Sequence, residues 1–523
     1  MIAALLRPGA YPHPTGSIAL IETHISWVLL TGDWAYKIKK PVSLGFVDFS
    51  TLQRRQHFCL EELRLNQRLA GELYRDLVSI HGPAEQACLE GTGPIIDVAV
   101  RMRQFDQAGL LPEALARGAL TGRHLDTFSE RLARFHAAAA VASPAGPWGT
   151  PEAVISPALA NLEVLARLPS RWEVPELATW TQREAELLRP CFMERLARGR
   201  VREGHGDLHL GNLVLHQGVV VGFDCLEFNP ALRWIDVLSD VAFLAMDLTA
   251  QGEPLLAARL LNHWLSASGD YGGLTAWRWY VVYRALVRAK VLALRWEQLE
   301  AGAQEAGAQA EAEREKLDSR LNSYVALALR VTRATRPGHL LLTHGVSGSG
   351  KSHLASALCQ RHGWVHLRSD VERRRLFGRW GTPLEPVRRG EAYAPAITDE
   401  LYETLLPRAA EAVLRAGLTV VVDAAFLSRR QRAIFLSLAD RLGTPKMILH
   451  CPVSAAVALD RLVERSKEGL DPSEADETVL RRQWQTMEAL APDEMKWSLA
   501  AAGDLQQTET LLRQRLPELL PAA

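Results

Sequence analysis

Two stretches of the sequence, HGDLHLGN at 205–212 and GVSGSGKS at 345–352, decide how this chain of 523 residues folds. Each stretch contains glycines and lies beside an apolar run of strand-forming residues. The run VVVGF comes after the first stretch and ends at Asp224, whereas LLLTH directly precedes the second stretch. Because the two stretches share no spacing of glycines or charged residues, they predict two folds of different design in one chain.

Length and composition limit the alternatives. A chain of 523 residues is too long for one hydrophobic core and predicts two to three domains. Hydrophobic residues make up 48% and charged residues 23% of the chain, which is typical of soluble globular proteins. Sixty basic residues balance sixty acidic ones. This balance does not favour a nucleic-acid partner, although a local basic patch is compatible with one.

The sequence favours a cytoplasmic location. Its six cysteines are scattered and form no CxxC or Cys/His cluster, which is typical of reduced thiols. The first residues, MIAALLRPGAYPHP, lack the long apolar core of a signal peptide. No run approaches the roughly 20 apolar residues that span a bilayer, so we expect no membrane association.

The composition shifts once along the chain. Residues 300–316, EAGAQEAGAQAEAEREK, contain no large apolar side chain and predict a flexible or weakly helical insert. Helical spacing returns at 317–335, and RPG at 336–338 then breaks the helix. We therefore predict a first domain over 1–299, a helical connection with the low-complexity insert over 300–335, and a second domain over 336–523.

The first domain begins with strand patterns. The segment 22–40, ETHISWVLLTGDWAYKIKK, predicts two strands joined by a TGD turn, and 94–105 predicts a further strand. Ser50 is placed to cap a helix from about Thr51 to Ala70. From about 110 onward helical patterns dominate. The pattern predicts a small strand-rich lobe followed by a larger helical lobe.

The second domain shows a different alternation. Apolar strands are predicted at about 339–344, 364–369, 418–423 and 446–451, with helical patterns between them. Strands that alternate with helices indicate an α/β fold with a parallel, doubly wound sheet.

The first quoted stretch carries the spacing of a phosphoryl-transfer loop. Asp207 precedes Asn212 by five positions, as a catalytic aspartate precedes a metal-binding asparagine in kinases. We predict that Asp207 orients or deprotonates an acceptor hydroxyl and that Asn212 binds Mg²⁺. Asp224, at the end of an apolar strand, is the candidate for a second metal ligand.

A phosphate-binding lysine and its glutamate partner are expected upstream. Lys37 lies in a predicted strand and Glu62 in the helix that follows, which are the usual positions for this pair. Lys39, on the same strand face, and the more peripheral Lys40 compete with Lys37, and Glu61 competes with Glu62. His205 and His209 are interpreted as residues that brace the loop, with direct catalysis as the alternative for either.

The segment HGDLHLGNLVL…VGFDCLEFNPALRWIDVLSDVAFLAMDL resembles the aminoglycoside phosphotransferase and choline-kinase superfamily, in which HGDxHxxN is the catalytic loop. The resemblance implies an α+β, protein-kinase-like fold with two lobes over about 1–300. It implies that His205, Asp207 and Asn212 match the catalytic loop, and that Asp224 and Glu227 match the metal motif. Asp236 and Asp240 would pack against that loop. The chain departs from kinases in lacking a GxGxxG loop between its first strands.

The second quoted stretch fits GxxxxGK[ST], the Walker A pattern of a P-loop, with a strand before it and a helix after it. Backbone N–H groups from Gly348 to Lys351 are predicted to surround the β-phosphate of ATP at the positive end of that helix. Lys351 would bridge the β- and γ-phosphates, and the Ser352 hydroxyl would bind Mg²⁺. The nucleotide-binding candidates are Gly345, Gly348, Ser349, Gly350, Lys351 and Ser352.

Further candidates follow the strands of the second domain. Asp423 ends the run LTVVVDAAF, where a metal-binding carboxylate is expected. Asp370 ends WVHLRSD on the predicted acceptor side of the sheet. Arg373 begins the next helix, where it and its neighbours serve either the acceptor or a solvated face. Arg461 and Arg465 lie one turn apart before a Gly/Pro/Ser/Asp-rich loop, which indicates a lid that brings arginines to the transferred phosphate.

The second half resembles small P-loop kinases: gluconate-kinase-like enzymes, polynucleotide 5′-hydroxyl kinases and zeta-type toxins. The order of the two halves resembles bacterial bifunctional aminoglycoside phosphotransferase/ATP-binding proteins. The resemblance implies a kinase with two ATP·Mg²⁺ sites. The first acceptor is expected to be a sugar, an amino alcohol or an aminoglycoside-like compound, and the second a sugar acid, a nucleotide-sugar or a nucleic-acid 5′ hydroxyl. The alternative is a single N-terminal kinase regulated by a C-terminal ATP-binding or ATPase module.

Overall fold

The computed structural model describes residues 1–45, 47–168, 172–301, 308–334, 338–378, 389–468, 477–501 and 504–520. The chain divides into two compact units. The first unit consists of Met1–Ser156 and Phe192–Asp247, and the second consists of Pro157–Cys191 and Leu248–Ala523. Among the described residues, no helix is long and apolar enough to cross a membrane.

The strands are β1 (Ala19–Glu22), β2 (Ser26–Leu30), β3 (Trp34–Lys39), β4 (Ser43–Leu44), β5 (Val47–Asp48), β6 (Tyr74–His81), β7 (Cys88–Leu89), β8 (Ile95–Arg103), β9 (Val201–Glu203), β10 (Leu213–His216), β11 (Val219–Gly222), β12 (Trp234–Asp236), β13 (Leu340–His344), β14 (Val365–Arg368), β15 (Val420–Asp423), β16 (Lys446–His450) and β17 (Ser498–Ala500).

The helices are α1 (Ile2–Leu5), α2 (Leu52–Ala70), α3 (Leu111–Ala116), α4 (Gly122–Ala138), α5 (Pro151–Leu165), α6 (Val174–Ala197), α7 (Pro230–Arg233), α8 (Val237–Ala250), α9 (Pro254–Ser268), α10 (Trp277–Ala301), α11 (Ala308–Arg333), α12 (Lys351–His362), α13 (Ser369–Phe377), α14 (Arg389–Ala392), α15 (Pro395–Glu400), α16 (Leu406–Arg415), α17 (Arg429–Leu442), α18 (Ala455–Glu468), α19 (Glu477–Thr486), α20 (Pro492–Met495) and α21 (Leu505–Arg515).

An antiparallel sheet organises the first unit. Its strand order is β1-β2-β3-β8-β6-β7, and each neighbouring pair is antiparallel. Helix α2 packs against β6 and β8. The buried side chains between these elements belong to one cluster that also takes in the hairpin of β10 and β11; it includes Cys59, Leu73, Val98, Val100, Val214 and Val221. This packing places β11 against α2, and the first candidate site lies at the end of β11.

A parallel sheet organises the P-loop part of the second unit. Its strand order is β14-β15-β13-β16-β17, and every pairing is parallel. Leu354 and Leu358 of α12 and Leu512 of α21 belong to the same buried cluster as Leu341 and Val421 of the sheet. Because β13 is first in the chain but central in the sheet, the connections leave it on both sides. Such a reversal opens a crevice at the carboxyl ends of the strands.

The predicted fold classes are confirmed. The TGD turn joins β2 to β3, and the four strands predicted around the P-loop correspond to β13, β14, β15 and β16. One detail of the prediction was wrong. The cap of α2 is Thr51, whose side chain accepts a hydrogen bond from the N–H of Arg54, because the hydroxyl of Ser50 is bound to Asp48.

The predicted connection is helical where the structure describes it. Helix α11 begins at Ala308, and residues 302–307 of the predicted insert lie outside the described residues. The RPG break falls mostly on residues 335–337, which also lie outside them. The boundaries at 299 and 335 stay predictions.

A fully buried ion pair supports the loop that follows β15. The side chain of Arg432 donates to both carboxylate oxygens of Glu494, at 2.8 and 2.9 Å, and to the carbonyl oxygen of Phe426 at 3.0 Å. A substitution that removes one partner leaves the other charge buried without compensation. The pair therefore ties α17 and α20 to the loop next to Asp423.

We expect Arg432→Ala to lower the free energy of unfolding of the second unit by about 3–5 kcal/mol, as measured by chemical denaturation. The double variant Arg432→Met/Glu494→Leu should recover most of this loss, because it leaves no unpaired charge. Arg429→Ala is the matched control. Its exposed pair with Asp493 is expected to contribute less than about 1 kcal/mol. Equal losses for the two arginine variants would contradict this view of the loop.

Candidate active sites

The loop HGD of the first unit is fixed by one buried carboxylate. Both oxygens of Asp240 accept backbone N–H groups, from His205 at 2.8 Å and from Gly206 at 2.9 Å. Gly206 has a φ of 85°, and a Cβ there would lie 2.7 Å from the carbonyl oxygen of Leu232. Only glycine fits this position without strain. Asp240 packs against the loop, as the resemblance implied.

Asp207 is held at the edge of this loop. The amide nitrogen of Asn212 donates to its carboxylate at 3.0 Å and to its backbone carbonyl at 3.0 Å. His209 lies 3.5 Å from the same carboxylate oxygen. The side chain of Asp207 remains 34% exposed, so it is oriented by the loop while still accessible from outside.

Both ring nitrogens of His205 hydrogen bond to backbone atoms. Its Nε2 hydrogen bonds to the carbonyl oxygen of Phe223 at 2.9 Å, and Nδ1 accepts the N–H of Asp207 at 3.3 Å. Burial outweighs the neighbouring carboxylates and lowers the pKa of His205, which favours the neutral ring. This geometry favours the bracing role over direct catalysis.

Five charged side chains form a chain across the first site. Lys37 lies 2.5 Å from Asp224 and 2.8 Å from Glu62. The second oxygen of Glu62 lies 2.7 Å from Lys39, which also contacts Glu227. The two lysines of β3 therefore share one glutamate of α2, and only Lys37 reaches the aspartate at the end of β11. Lys40 pairs instead with the exposed Glu22, and Glu61 with Arg64.

The charges of this chain depend on one another. Burial would raise the pKa of Glu62, but Lys37 and Lys39 outweigh it and lower that pKa to about 2. Burial favours a neutral Lys39 amine, but Glu227 and Glu62 outweigh it and raise the pKa of Lys39. Three carboxylates face two ammonium groups, so one negative charge is left over. The least buried carboxylate is that of Asp224, 41% exposed, which suits a hard cation such as Mg²⁺.

Glu203, just before the catalytic loop, ties α2 to that loop. Its carboxylate accepts hydrogen bonds from Arg64 and Arg68 of α2 and from Arg233 of α7, at 2.8 to 3.2 Å. Burial would raise the pKa of Glu203, but the arginines outweigh it and lower that pKa to about 2. The helix that carries Glu62 is thereby fixed to the loop that carries Asp207.

The P-loop of the second unit runs from the end of β13 to the start of α12. Gly350 has a φ of 90° and caps α12, whose first residue is Lys351. Gly348 has a φ of 79°, and a Cβ there would lie 2.5 Å from the carbonyl oxygen of Ala458. The ammonium of Lys351 donates to the carbonyl oxygen of Val346 at 2.6 Å. A loop of this form presents backbone N–H groups to a phosphate.

Asp423 lies next to the P-loop on β15. Its carboxylate accepts a hydrogen bond from Nε2 of His366 at 3.1 Å and lies 3.7 Å from Arg368. Burial would raise the pKa of Asp423, but His366, Arg368 and a hydrogen bond from Ser352 outweigh it and lower that pKa. Asp423 and Ser352 are therefore neighbours, as a shared metal ion would require.

A cleft of about 530 Å³ joins the predicted residues of the second site. Its walls include Gly348, Gly350, Lys351, Ser352, Asp370, Arg373, Asp423 and Arg461. Arg373 is 6% exposed. Its guanidinium donates to the carbonyl oxygen of Ala392 at 2.7 Å, so part of its hydrogen-bonding capacity is used within the protein. Arg461 donates to the carbonyl oxygen of Gly348 at 3.2 Å. The side chain of Arg465 and residues 469–476 of the predicted lid lie outside the described residues.

Sequence reasoning missed Gln483, which lines this cleft, and His366, which hydrogen bonds to Asp423. Gln483 of α19 accepts the N–H of Ser347 in the P-loop at 2.7 Å, and no local pattern links it to that loop. His366 could have been found, because His366 and Arg368 are polar residues at alternate positions of a predicted strand of the parallel sheet. Among the described residues, no group of three or more His, Cys, Asp or Glu side chains forms a metal site by itself.

Two family models match the chain. Residues 54–280 match the phosphotransferase enzyme family, and residues 340–490 match an AAA domain. With the geometry above, these matches define the class: the chain is a kinase, with a phosphotransferase-type first half and a P-loop second half.

Curated relatives extend over both halves. Proteins described as uncharacterized in Mycobacterium bovis and in Mycobacterium tuberculosis are 30% identical to the chain over 450 residues, which covers 85% of this chain and 86% of each relative. The chain belongs to the family of these mycobacterial proteins.

Some solved structures are similar to part of the chain. A sugar kinase from a Janibacter species is 25% identical and covers 35% of this chain and 97% of its own, with a TM-score of 0.25. A choline/ethanolamine kinase family protein from Mesorhizobium loti is 16% identical and covers 61% of this chain and 94% of its own, with a TM-score of 0.33.

Buried His344 precedes the P-loop and contacts the half-buried His450, and we expect this pair to make stability depend on pH. Nδ1 of His344 lies 2.8 Å from Nδ1 of His450 on the neighbouring strand. Burial, and then His450, lower the pKa of His344 from 6.5 to about 4. Between these pH values the unfolded chain binds a proton at this residue and the folded chain does not, so acid favours unfolding.

We expect the free energy of unfolding of the second unit to fall as pH drops from 6.5 towards 4. Chemical denaturation across this range should show a shallower fall for His344→Gln than for the unsubstituted chain. His353→Gln, which removes an exposed histidine, is the control and should leave the slope unchanged. A slope that His344→Gln does not alter would contradict the role of this pair.

Proposed function

We propose that the chain is a bifunctional ATP-dependent phosphotransferase in which each half transfers the γ-phosphate of ATP to a hydroxyl group. The observation that supports this proposal is that each half contains a lysine placed to bind phosphate and a separate, accessible carboxylate placed to bind an acceptor. In the first half these are Lys37 and Asp207. In the second half Lys351 and Asp370 line one cleft.

In the first site we propose that Lys37 binds phosphate oxygens while Glu62 holds its ammonium in place. Asn212 and Asp224 would hold Mg²⁺, which neutralises charge on the phosphates. Asp207 positions the acceptor hydroxyl and receives its proton. The acceptor oxygen then bonds to the γ-phosphorus, the bond from that phosphorus to the β,γ-bridging oxygen breaks, and ADP leaves with the electron pair.

In the second site we propose that the P-loop amides and Lys351 hold the β- and γ-phosphates. Ser352 and Asp423 would hold Mg²⁺. Asp370 stands at the start of α13 and lines the same cleft, where it would orient the acceptor hydroxyl and take its proton. Arg373 and Arg461 place positive charge along the cleft, with Arg461 next to the P-loop. The same phosphorus–oxygen exchange releases ADP.

The experiment that tests this proposal is ADP release by the full chain with a panel of hydroxyl compounds. The panel contains sugars, amino alcohols and aminoglycosides for the first site, and sugar acids, nucleotide-sugars and 5′-hydroxyl oligonucleotides for the second. Lys351→Ala isolates the first site, and Lys37→Ala isolates the second. Strong stimulation in each background supports two kinases. ADP release at the second site that no acceptor changes would support the regulatory ATPase instead.

We expect Asp207→Asn, in the Lys351→Ala background, to reduce acceptor-dependent ADP release by at least about a hundredfold, because the proton acceptor is lost. Affinity for Mg·ADP should persist, since phosphate contacts remain. Asp33→Asn removes an exposed carboxylate of the same unit and serves as the control. Unchanged turnover in Asp207→Asn would exclude the assignment.

For the second site we expect Asp370→Asn, in the Lys37→Ala background, to lower kcat for the acceptor by at least about a hundredfold. The KM for ATP should change little, because Asp370 is not part of the P-loop. Asp460→Asn, on the exposed side of α18, is the matched control. If Asp370→Asn weakened nucleotide binding and spared transfer, Asp370 would be a metal ligand and not an acceptor residue.

A further inference from the structure

Strand β14 leads directly to the proposed acceptor residue and has an open edge. It stands at the end of the strand order of the described parallel sheet. Its outer peptide groups therefore need partners from outside the sheet. Asn262 of α9 supplies a hydrogen-bond acceptor and a donor for this edge. Its side-chain oxygen accepts the N–H of His366 at 2.8 Å, and its side-chain nitrogen donates to the carbonyl oxygen of Trp364 at 2.8 Å.

The helix that follows β14 is attached to the same element. Arg375 of α13 donates to the carbonyl oxygens of Ser266 at 2.7 Å and Ala267 at 3.1 Å. These carbonyls lie at the end of α9, where the helix dipole favours a positive charge. Gly269 closes α9 with a φ of 65°, and a Cβ there would lie 2.5 Å from Nε of Arg375. A side chain at position 269 would therefore crowd the guanidinium of Arg375.

Helix α9 therefore holds both ends of one short segment, 364–375. Between the two contacts lie His366, which bonds Asp423, and Asp370 and Arg373 of the cleft wall. A displacement of the segment moves the acceptor carboxylate relative to the P-loop, and small misplacements of such groups reduce rates strongly.

We propose that α9, through Asn262 and Arg375, positions the acceptor side of the second kinase site. Helix α9 belongs to the second compact unit but lies within residues 54–280, which match the phosphotransferase family model. A segment of the phosphotransferase match thus serves the chemistry of the P-loop site. Asn262 and Arg375 are positioning residues and do not touch the reacting atoms. The role of Asp370 rests on the proposed function, whereas the attachment of the segment does not.

The test is hydrogen exchange of the full chain, measured by mass spectrometry. In Asn262→Ala, exchange in peptides that cover 364–377 should accelerate by at least about tenfold, because the hydrogen bond of the His366 amide is lost. Peptides of α12 and β15 should keep their protection. Affinity for Mg·ADP, measured in the Lys37→Ala background, should also be unchanged.

Three further variants make the result specific. Asn262→Asp keeps the acceptor for the His366 amide and should protect that amide more than Asn262→Ala does. Arg375→Ala should loosen residues 369–377 while sparing β14. Gln251→Ala removes an exposed amide of the same unit and should change nothing.

Unchanged exchange at 364–377 in Asn262→Ala and Arg375→Ala would overturn the proposal. Equal loss of protection over the whole P-loop sheet would do so too, since it would mean general destabilisation. Both outcomes are measured by hydrogen exchange and do not depend on phosphoryl transfer. A failure of the acceptor panel would therefore count against the proposed function and leave this inference standing.

Discussion

A buried carboxylate keeps its charge only beside a cation, and Glu62 is placed between two. Lys37 and Lys39 approach its two oxygens at 2.8 and 2.7 Å, and the side chain of Glu62 is completely buried. Removing one member of such a set leaves a charge uncompensated in a medium that solvates it poorly. The positions of β3, α2 and the end of β11 are therefore fixed together. Lys37 and Asp224 face the site because Glu62 and Lys39 hold them there.

The second site uses the same physics with other groups. Asp423 stays charged in a buried position because His366, Arg368 and Ser352 compensate for its burial. The P-loop contributes partial charges from backbone amides in place of a second ion pair. In both sites the polar groups are oriented by the fold before any substrate arrives. Such preorganisation is what phosphoryl transfer requires, because charge positioning supplies most of the catalysis.

Local patterns predicted most of the fold. Strand patterns indicated β2 and β3, and apolar runs indicated β13, β14, β15 and β16 of the parallel sheet. The P-loop pattern located the end of β13 and the start of α12. The choice between Lys37 and Lys39 could not be made from sequence. The two residues are two positions apart on one strand, so they point to the same face. Only the end of β11, distant in the chain, distinguishes them.

The other features of the site that could not be predicted from the sequence depend on contacts between residues distant in the chain. The side chain of Arg373 donates a hydrogen bond to the carbonyl oxygen of Ala392, and the contact between Gln483 and Ser347 joins residues 136 positions apart. The attachment of α9 to β14 and α13 spans about a hundred positions as well. None of these contacts has a periodic signal. Each depends on how the elements pack after they form.

The most direct test of two separate phosphate-binding sites is the number of Mg·ADP molecules bound per full chain, measured by isothermal titration calorimetry. We predict two for the unsubstituted chain, one for Lys37→Ala, one for Lys351→Ala and none for the double variant. A single bound nucleotide in the unsubstituted chain, or the loss of both through one substitution, would contradict the account.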